Sequence, residues 1–443
     1  MRGLRLVNGV DPLPMGRHRL AAGAAALVAV AAASLATTAP PAAAAGGVRY
    51  GITDDAWLQN GTGSVTARVA RLHALGVQIV RFTLNWNKIA TDRPADARDP
   101  EDAAYDWTAV DPVLEGLRSA GITVVLQLNG TPSWANGGKG SNYAPNSAST
   151  FRDFATAAAT RYPWVTRWLI WNEPNQARWL RPTSPATYTT RLLNPAYAAI
   201  HAVIPGAEVA GGGTAPRGAT GGVSPVAWLT GMRAAHARLD AYAHNPYPLD
   251  PKRETPLTGG CTHCATITMA TISRLVTLVS RNFPRARIWL SEYGYQTDPP
   301  DHLLGVSPAL QARYESEGAY VAWRTPRVDL LIHFLYRDEP SIARFQSGLV
   351  TLAGKTKPSY QAFELPLAEI SRSGTRTSLW GQLRAPGTST TAQVERRVGA
   401  GWRTVGTAHT GADRVFRFTA TLPRGTQVRV RAGSLVGATV TVA

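Results

Sequence analysis

The segment from Val48 to Phe363 alternates short apolar runs with longer amphipathic stretches, and the alternation repeats eight times. Short apolar runs between turn residues are typical of buried strands, whereas stretches with apolar residues three to four positions apart are typical of surface helices. Strands that alternate with helices form a parallel sheet with crossover helices. Eight such units close on themselves, so the sequence predicts an α/β fold, a (β/α)8 TIM barrel.

Two of the predicted strands end in a glutamate. The mostly apolar run 166–170 is followed by Trp171-Asn172-Glu173-Pro174-Asn175, in which the proline cannot continue a sheet ladder. The second run, 288–290, is followed by Ser291-Glu292-Tyr293-Gly294. The carboxyl ends of the barrel strands meet at one rim, and enzymes with this fold have their active sites there. Two carboxylates on different strands of that rim are what a two-carboxylate glycosidase requires, which makes Glu173 and Glu292 the catalytic candidates.

These two motifs resemble those of clan A of the glycoside hydrolases, most nearly family 39 with family 5 as its neighbour. The resemblance covers roughly residues 50–367. It implies a retaining enzyme that cleaves O-glycosidic bonds of a poly- or oligosaccharide, with Glu173 as acid/base and Glu292 as nucleophile. It implies no cofactor and no metal ion. A non-catalytic glycan-binding protein on the same barrel and a transglycosylase with the same residues are the alternatives.

Polar and aromatic side chains at the same strand ends are candidates for binding the sugar. By the resemblance, Asn172 would hold the sugar's 2-hydroxyl, and His244 and Tyr247 would position the nucleophile. A tyrosine, Tyr336, follows strand eight where clan A often has a tryptophan. Packing into the core is the alternative role for His244 and for Trp134. The predicted substrate-binding residues are Arg81, Trp86, Asn129, Trp134, Asn172, His244, Tyr247 and Tyr336.

The first 45 residues have the layout of a secretory signal. Arg17 and Arg19 precede an alanine-rich apolar run, and small residues lead to a cleavage site before about Gly46. We therefore expect a secreted, extracellular protein. An uncleaved N-terminal anchor is the alternative, although the apolar run is short for a bilayer span. Met15 is an alternative start.

From about residue 371 the sequence changes to short alternating strands with Gly and Thr turns, which predicts a small β-sandwich. The expected domains are thus residues 46–370, the catalytic barrel, and residues 371–443, joined by a linker at 371–374. The second domain is expected to be separable from the chemistry, either as a cap on the barrel or as a sugar-binding module.

The positive charge of the chain is concentrated in this C-terminal segment. Residues 371–443 contain 11 Arg against two acidic residues, whereas the net charge of the whole chain is +17. A basic surface attracts anionic polymers, so contact with an anionic cell-wall polysaccharide is an expected partner interaction, and a solvated face is the alternative. Nucleic acid is not expected as a partner of an exported protein, and we expect a monomer.

The two cysteines of the chain, Cys261 and Cys264, lie three residues apart in a loop rich in Gly and Thr. In an exported protein this spacing favours a local disulfide. A zinc site would need more ligands than this pair and the intervening His263. A redox motif is less favoured, because the pair does not open a helix after a strand.

Overall fold

The computed structural model describes residues 47–387 and 389–443. In this part of the chain eight parallel strands form a closed barrel in chain order, and the first strand pairs with the eighth. The predicted TIM barrel is therefore confirmed. The strands are Arg49–Thr53 (β1), Ile79–Asn85 (β2), Thr123–Asn129 (β3), Arg167–Ile170 (β4), Glu208–Thr214 (β5), Ala241–His244 (β6), Arg287–Tyr293 (β7) and Val328–Phe334 (β8).

Helices pack around the barrel between these strands. Most begin at a serine or at a proline in the first turn, which are favoured there because they cap or tolerate the unpaired N–H groups. A π-helical segment, Thr189–Leu193, joins two of the helices, and a 3-10 turn, Met269–Thr271, precedes another. The helices are Asp55–Asn60 (α1), Val65–Ala74 (α2), Trp86–Ile89 (α3), Asp111–Ser119 (α4), Ser133–Asn136 (α5), Ala148–Arg161 (α6), Pro185–Tyr188 (α7), Asn194–Val203 (α8), Pro225–Ala234 (α9), Ile272–Asn282 (α10), Pro308–Arg324 (α11) and Pro358–Glu364 (α12).

The interior of the barrel is a packed core below the rim. Trp289 of β7 is fully buried there among small neighbours, Ala210 and Ala243, and the branched Ile332. At Gly51 of β1 an added Cβ would lie 2.6 Å from a methyl of Ile79 and 2.8 Å from one of Ile332. The barrel thus accommodates one large ring because the facing positions are small, as close packing requires.

The residues after the barrel form two antiparallel sheets that share a hydrophobic core. This confirms the predicted all-β domain at the C-terminus. One sheet has the order β13-β10-β9, and the other has the order β12-β11-β14-β15, with β16 paired to β14. The strands are Leu367–Ser373 (β9), Arg376–Gln382 (β10), Thr391–Val398 (β11), Gly401–His409 (β12), Val415–Thr421 (β13), Gln427–Ala432 (β14), Leu435–Val436 (β15) and Val440–Thr441 (β16).

The predicted linker at residues 371–374 is wrong. Its first three residues belong to β9, which pairs with β10, and Gly374 has φ +59° in the turn between them. Because Gly adopts this conformation without a Cβ clash, Gly374 and Thr375 can form the two-residue turn of a hairpin. The first strand of the β-domain therefore starts at Leu367, directly after α12.

The β-domain contacts the barrel through aromatic side chains. Trp380 of β10 is fully buried against Tyr320 and Trp323 of α11, with ring centroids 5.7 and 5.9 Å apart. The guanidinium of Arg384 lies 3.6 Å from the ring centre of Tyr50 in β1. Ala368, Trp380 and Val415 of the β-domain thus belong to the hydrophobic core of the barrel, whereas the other buried apolar residues of the β-domain form their own core.

The predicted disulfide between Cys261 and Cys264 is confirmed. Arg274 of α10 donates to the carbonyl oxygens of Cys261 at 3.0 Å and Cys264 at 2.6 Å, which ties the loop to the helix. Within the described residues, no group of three or more His, Cys, Asp or Glu side chains is placed to hold a metal ion. None of the helices in this part of the chain has the length and apolar character to span a membrane.

Candidate active site

A cavity of about 810 Å³ opens at the carboxyl ends of the barrel strands, and both Glu173 and Glu292 line it. Its inner wall consists of strand ends. Its outer wall comes from the loops that follow β4, β5, β6, β7 and β8, including Trp179, Arg217 and Phe345. This is the position that the barrel architecture reserves for chemistry.

The backbone of the loop after β4 holds Glu173 in place. Trp171 has φ +70° and Glu173 has φ +38°, conformations that cost a non-glycine residue about 1–3 kcal/mol. Hydrogen bonds from the neighbouring strands offset this cost: the N–H of Trp171 donates to Leu128 O at 2.9 Å, and that of Glu173 to Gly213 O at 3.0 Å. The strain is concentrated at the residue that carries the carboxylate, as is common at functional sites.

The Glu173 carboxyl group is 6% exposed and has three side-chain donors around it. Asn245 Nδ2 donates to Oε1 at 3.2 Å, while Trp179 Nε1 and Arg178 Nη2 donate to Oε2 at 3.1 and 3.4 Å. Burial and the nearby charge of Glu292 outweigh these donors and raise the pKa of Glu173 to about 7. Glu173 can therefore hold a proton near neutral pH, as a general acid must.

The Glu292 carboxylate, 7% exposed, is held by two donors. Arg81 Nη2 is 2.6 Å from Oε1, and the hydroxyl of Tyr247 donates to Oε2 at 2.9 Å. Burial and the charge of Glu292 keep the pKa of Tyr247 well above its usual range, so this hydroxyl stays protonated and continues to donate. A charged donor and a neutral donor thus hold one oxygen atom each of the Glu292 carboxyl group, which fixes its position in the cavity.

Three buried polar atoms in the cavity wall have no hydrogen-bond partner within the described residues. They are Arg81 Nη1, Gln127 Oε1 and Asn172 Oδ1, and all three side chains line the cavity. Buried polar atoms in proteins are nearly always satisfied, because each unpaired one costs about 1–3 kcal/mol. One donor and two acceptors of this kind fit a ligand that carries several hydroxyl groups.

Four of the predicted substrate-binding residues line the cavity: Arg81, Asn129, Asn172 and Tyr247. Asn129 also accepts a hydrogen bond from the backbone N–H of Asn172 at 3.2 Å, so it orients the loop that carries Glu173. The positions of these four residues at or near strand ends are the reason that the sequence predicted them.

The two tryptophans predicted to bind sugar lie outside the cavity. Trp86 is fully buried and contacts Phe154 of α6 and Trp134. The indole of Trp134 is half-buried and donates to Ala90 O at 2.9 Å. Both rings therefore pack the loops against the barrel, and their assignment as sugar platforms is corrected.

The assignments of His244 and Tyr336 to sugar binding are also corrected, because both side chains pack against other parts of the protein. His244 points away from the barrel axis, bonds Thr214 Oγ1 at 2.8 Å and Ile267 O at 3.0 Å, and has its pKa lowered to about 4 by burial. Tyr336 stacks on Trp57 with ring centroids 3.9 Å apart. Neither side chain reaches the Glu292 carboxylate.

Several residues at or next to the cavity were not predicted from the sequence. Phe334 ends β8 and lines the cavity, two residues before the tyrosine that was predicted there. Asn245 follows His244 and reaches Glu173, and Ser291 Oγ donates to its Oδ1 at 2.7 Å. Asp55, half-buried at the start of α1, lines the cavity, and desolvation raises its pKa. A signal for Asn245 was available, because it is the residue that alternation along the strand directs inward.

A family model of the glycoside hydrolases matches part of the sequence. The model "Cellulase (glycosyl hydrolase family 5)" matches residues 44–213, which include β1 to β5 and Glu173. The resemblance to clan A of the glycoside hydrolases is confirmed. The match supports a glycosidase activity for the chain, and it ends before the strand that carries Glu292. No curated protein matches the sequence.

Solved structures of glycoside hydrolases have the same fold. A family 39 glycoside hydrolase from Bacteroides cellulosilyticus WH2 is 16% identical, with a TM-score of 0.57 over 84% of this chain and 80% of that one. The GH39 enzyme from Xanthomonas axonopodis pv. citri is 16% identical, with a TM-score of 0.56 over 87% and 93%. A monomeric beta-xylosidase from Caulobacter crescentus CB15 is 18% identical, with a TM-score of 0.54 over 79% and 82%. At these identities the likeness concerns the fold.

Proposed function

We propose that this glycosidase is a retaining enzyme that cleaves O-glycosidic bonds of an oligo- or polysaccharide by double displacement. The observation that carries the proposal is the contrast between its two cavity carboxyl groups. Glu292 is held by Arg81 and Tyr247, whereas burial and repulsion raise the pKa of Glu173 to about 7. Pairs of carboxyl groups whose environments differ in this way divide into an acid and a nucleophile.

In the first step Glu173 donates its proton to the glycosidic oxygen while a Glu292 oxygen attacks the anomeric carbon. The bond between that carbon and the leaving oxygen breaks as the ester bond to Glu292 forms. Burial and the charge of Glu292 both raise the pKa of Glu173, and loss of the negative charge on Glu292 removes the second of these causes, so Glu173 gives up its proton more readily in this step.

In the second step Glu173 takes a proton from water, which attacks the same carbon and releases Glu292. Two inversions at one carbon give overall retention of configuration. Arg81 and Tyr247 stabilise the carboxylate that leaves in this step, because they hydrogen-bond both of its oxygen atoms.

The stereochemical outcome tests the proposal directly. Proton NMR of the first product released, before mutarotation, is expected to show the same anomer as the substrate. A water between the two carboxyl groups would instead require a separation of about 6.5–9.5 Å and would give the inverted anomer. An inverted product would reject the double displacement, even though the barrel is correct.

Activity is expected to fall as the pH rises through about 7, because Glu173 must be protonated in the first step. The logarithm of kcat/KM for an unactivated glycoside, measured between pH 5 and 9, should show this alkaline limb. An aryl glycoside whose leaving group needs no proton should not show it in the same step. If both substrates have the same alkaline limb, a group other than Glu173 is responsible.

The raised pKa also predicts a pH-dependent difference in stability. A carboxyl group whose folded pKa lies above its ordinary value of 4.5 stabilises the fold when protonated, and this contribution is lost as the pH rises through about 7. Glu173→Gln removes the titration, so its melting temperature relative to wild type should be higher at pH 8 than at pH 5. A difference that does not change with pH would contradict the assigned environment of Glu173.

Export remains a proposal, because the predicted signal at residues 1–45 lies outside the described residues. The disulfide supports it, since such bonds persist mainly in oxidising compartments. Sequencing the N-terminus of the protein recovered from culture medium tests it, with a first residue near Gly46 as the expected result. Recovery only with the cells and with the apolar run intact would favour the anchor instead.

A further inference from the structure

One face of the five-stranded sheet carries a continuous set of polar and aromatic side chains. The pairing registers put Arg397 opposite Trp402, and Glu395 opposite both Thr404 and Arg429. Because side chains alternate between the faces of a strand, Val394, Val428 and Val430 point into the sandwich core and these residues point outward. The outward set, which we name the outer face, is Gln393, Glu395, Arg397, Trp402, Thr404, Thr407, Gln427, Arg429 and Arg431.

The outer face is free of the barrel. The three-stranded sheet lies on the barrel side, where Trp380 of β10 contacts α11. Within the described residues, no hydrogen bond or ring contact joins an outer-face side chain to the barrel. Arg397, Thr404 and Thr407 are exposed, and Trp402 is half-buried. A large ligand can therefore reach this face without affecting access to the catalytic cavity.

The side chains at the centre of the outer face hold one another in place. Arg429 Nε is 2.6 Å from Glu395 Oε2, and Arg431 Nε is 3.1 Å from Oε1. The Arg429 guanidinium also lies 4.1 Å from the ring centre of Trp402. Both arginines bond Glu395 through Nε, which leaves their terminal Nη groups directed away from that bond. The face thus presents ordered donors beside an indole ring.

We propose that the outer face binds a polysaccharide that carries uronic acid carboxylates, with a sugar ring against Trp402 and carboxylates at Arg397 and Arg429. Arginine forks match carboxylates with two parallel hydrogen bonds, and on this face two arginines already bond the carboxylate of Glu395, each through its Nε. The 11 Arg and two acidic residues at 371–443 provide the complementary charge. The surface is separate from the catalytic cavity, and its assignment does not depend on the proposed reaction.

A single-stranded nucleic acid is the competing partner, because it also combines negative charge with planar rings. Nucleic-acid surfaces of this kind usually stack successive bases on several aromatic side chains. The outer face has one, Trp402, and it also carries the hydroxyl and amide groups of Thr404, Gln393 and Gln427. Hydroxyl and amide groups match the hydroxyl-rich edges of a polysaccharide better than they match stacked bases.

Affinity electrophoresis of the full chain in gels that contain polygalacturonate tests the proposal. We expect the wild-type protein to be retarded by polygalacturonate and not by dextran, and the retardation should weaken as sodium chloride increases. Arg397→Gln should reduce the affinity by roughly fivefold or more, because it removes a charged hydrogen-bonding group. Trp402→Ala should reduce it to a similar extent through loss of ring contact. Melting curves establish that each variant is folded.

Arg403→Gln is the matched control. Arg403 is adjacent to Trp402 in β12, is exposed and opposes Arg396, so its side chain lies on the other face. The charge change equals that of Arg397→Gln, yet the affinity should stay at the wild-type value. Equal losses in the two arginine variants would show binding by net charge and overturn the assigned site. Equal retardation by dextran, or stronger binding of a single-stranded oligonucleotide, would overturn the assigned ligand.

Discussion

Glu292→Gln is expected to lower kcat for an aryl glycoside by about 10⁴-fold or more, because it replaces the attacking carboxylate with a neutral amide. Glu173→Ala should lower kcat for an unactivated glycoside by roughly 10²–10⁴-fold, and much less for a substrate whose leaving group needs no proton. Initial rates of both variants on both substrates measure this contrast. Glu208→Gln is the matched control, since Glu208 begins β5 at the opposite end of the barrel and pairs with Arg167.

Azide distinguishes the two roles further. In Glu292→Gly, azide should attack the anomeric carbon in place of the carboxylate and give a glycosyl azide of inverted configuration. In Glu173→Ala, azide should attack the glycosyl-enzyme and give the retained configuration. Near-normal rates in either variant would contradict the assignment of the pair, and the same anomer from both would contradict the division of roles.

A chain that ends at Arg372 is expected to be insoluble or unfolded, contrary to the separable domain that the sequence suggests. The truncation removes the partners of β9 and exposes Tyr320 and Trp323, which pack against Trp380 in the full chain. Large exposed apolar patches of this kind promote aggregation. Soluble yield, circular dichroism and turnover of an aryl glycoside measure the outcome. A soluble chain with wild-type turnover would show that the β-domain is dispensable.

A point substitution tests the same interface without deleting the domain. Trp380→Ala should lower the free energy of unfolding by about 3–5 kcal/mol, since it leaves a cavity between the sheet and α11. Trp402→Ala also removes a tryptophan from this domain, but its ring is half-buried on the outer face. This substitution should therefore lower the free energy of unfolding much less. Equal losses in denaturant titrations would mean that the interface contributes little.

The sequence was sufficient to predict the barrel and part of the cavity lining. Arg81, Asn129, Asn172 and Tyr247 reach the cavity because strand ends converge at one rim. The alternation of side chains along a strand explains why Trp86 and His244 were wrongly assigned to sugar binding. Asn85 points inward, so Trp86 points outward into the helix layer. In the same way His244 points outward, and the next residue, Asn245, points inward.

Other parts of the site depend on features that a single sequence does not encode locally. β8 ends at Phe334, and the chain then turns, so that Tyr336 stacks on Trp57 from a segment nearly 280 residues away. The donors to Glu173 from Trp179 and Arg178 depend on the path of the loop after β4. Loop paths are determined by tertiary contacts, so the positions of strand ends were not enough to predict these two donors.

The backbone bonds that hold the loop after β4 suggest where this enzyme tolerates redesign. Leu128 O in β3 and Gly213 O in β5 fix Trp171 and Glu173, so Glu173 takes its position from the barrel itself. The loops at 294–307 and 335–357 contribute Leu304, Arg344 and Phe345 to the outer wall of the cavity and make no such bonds to that segment. Loop grafting at those two connections is therefore a route to new sugar preferences that leaves the backbone bonds around Glu173 unchanged.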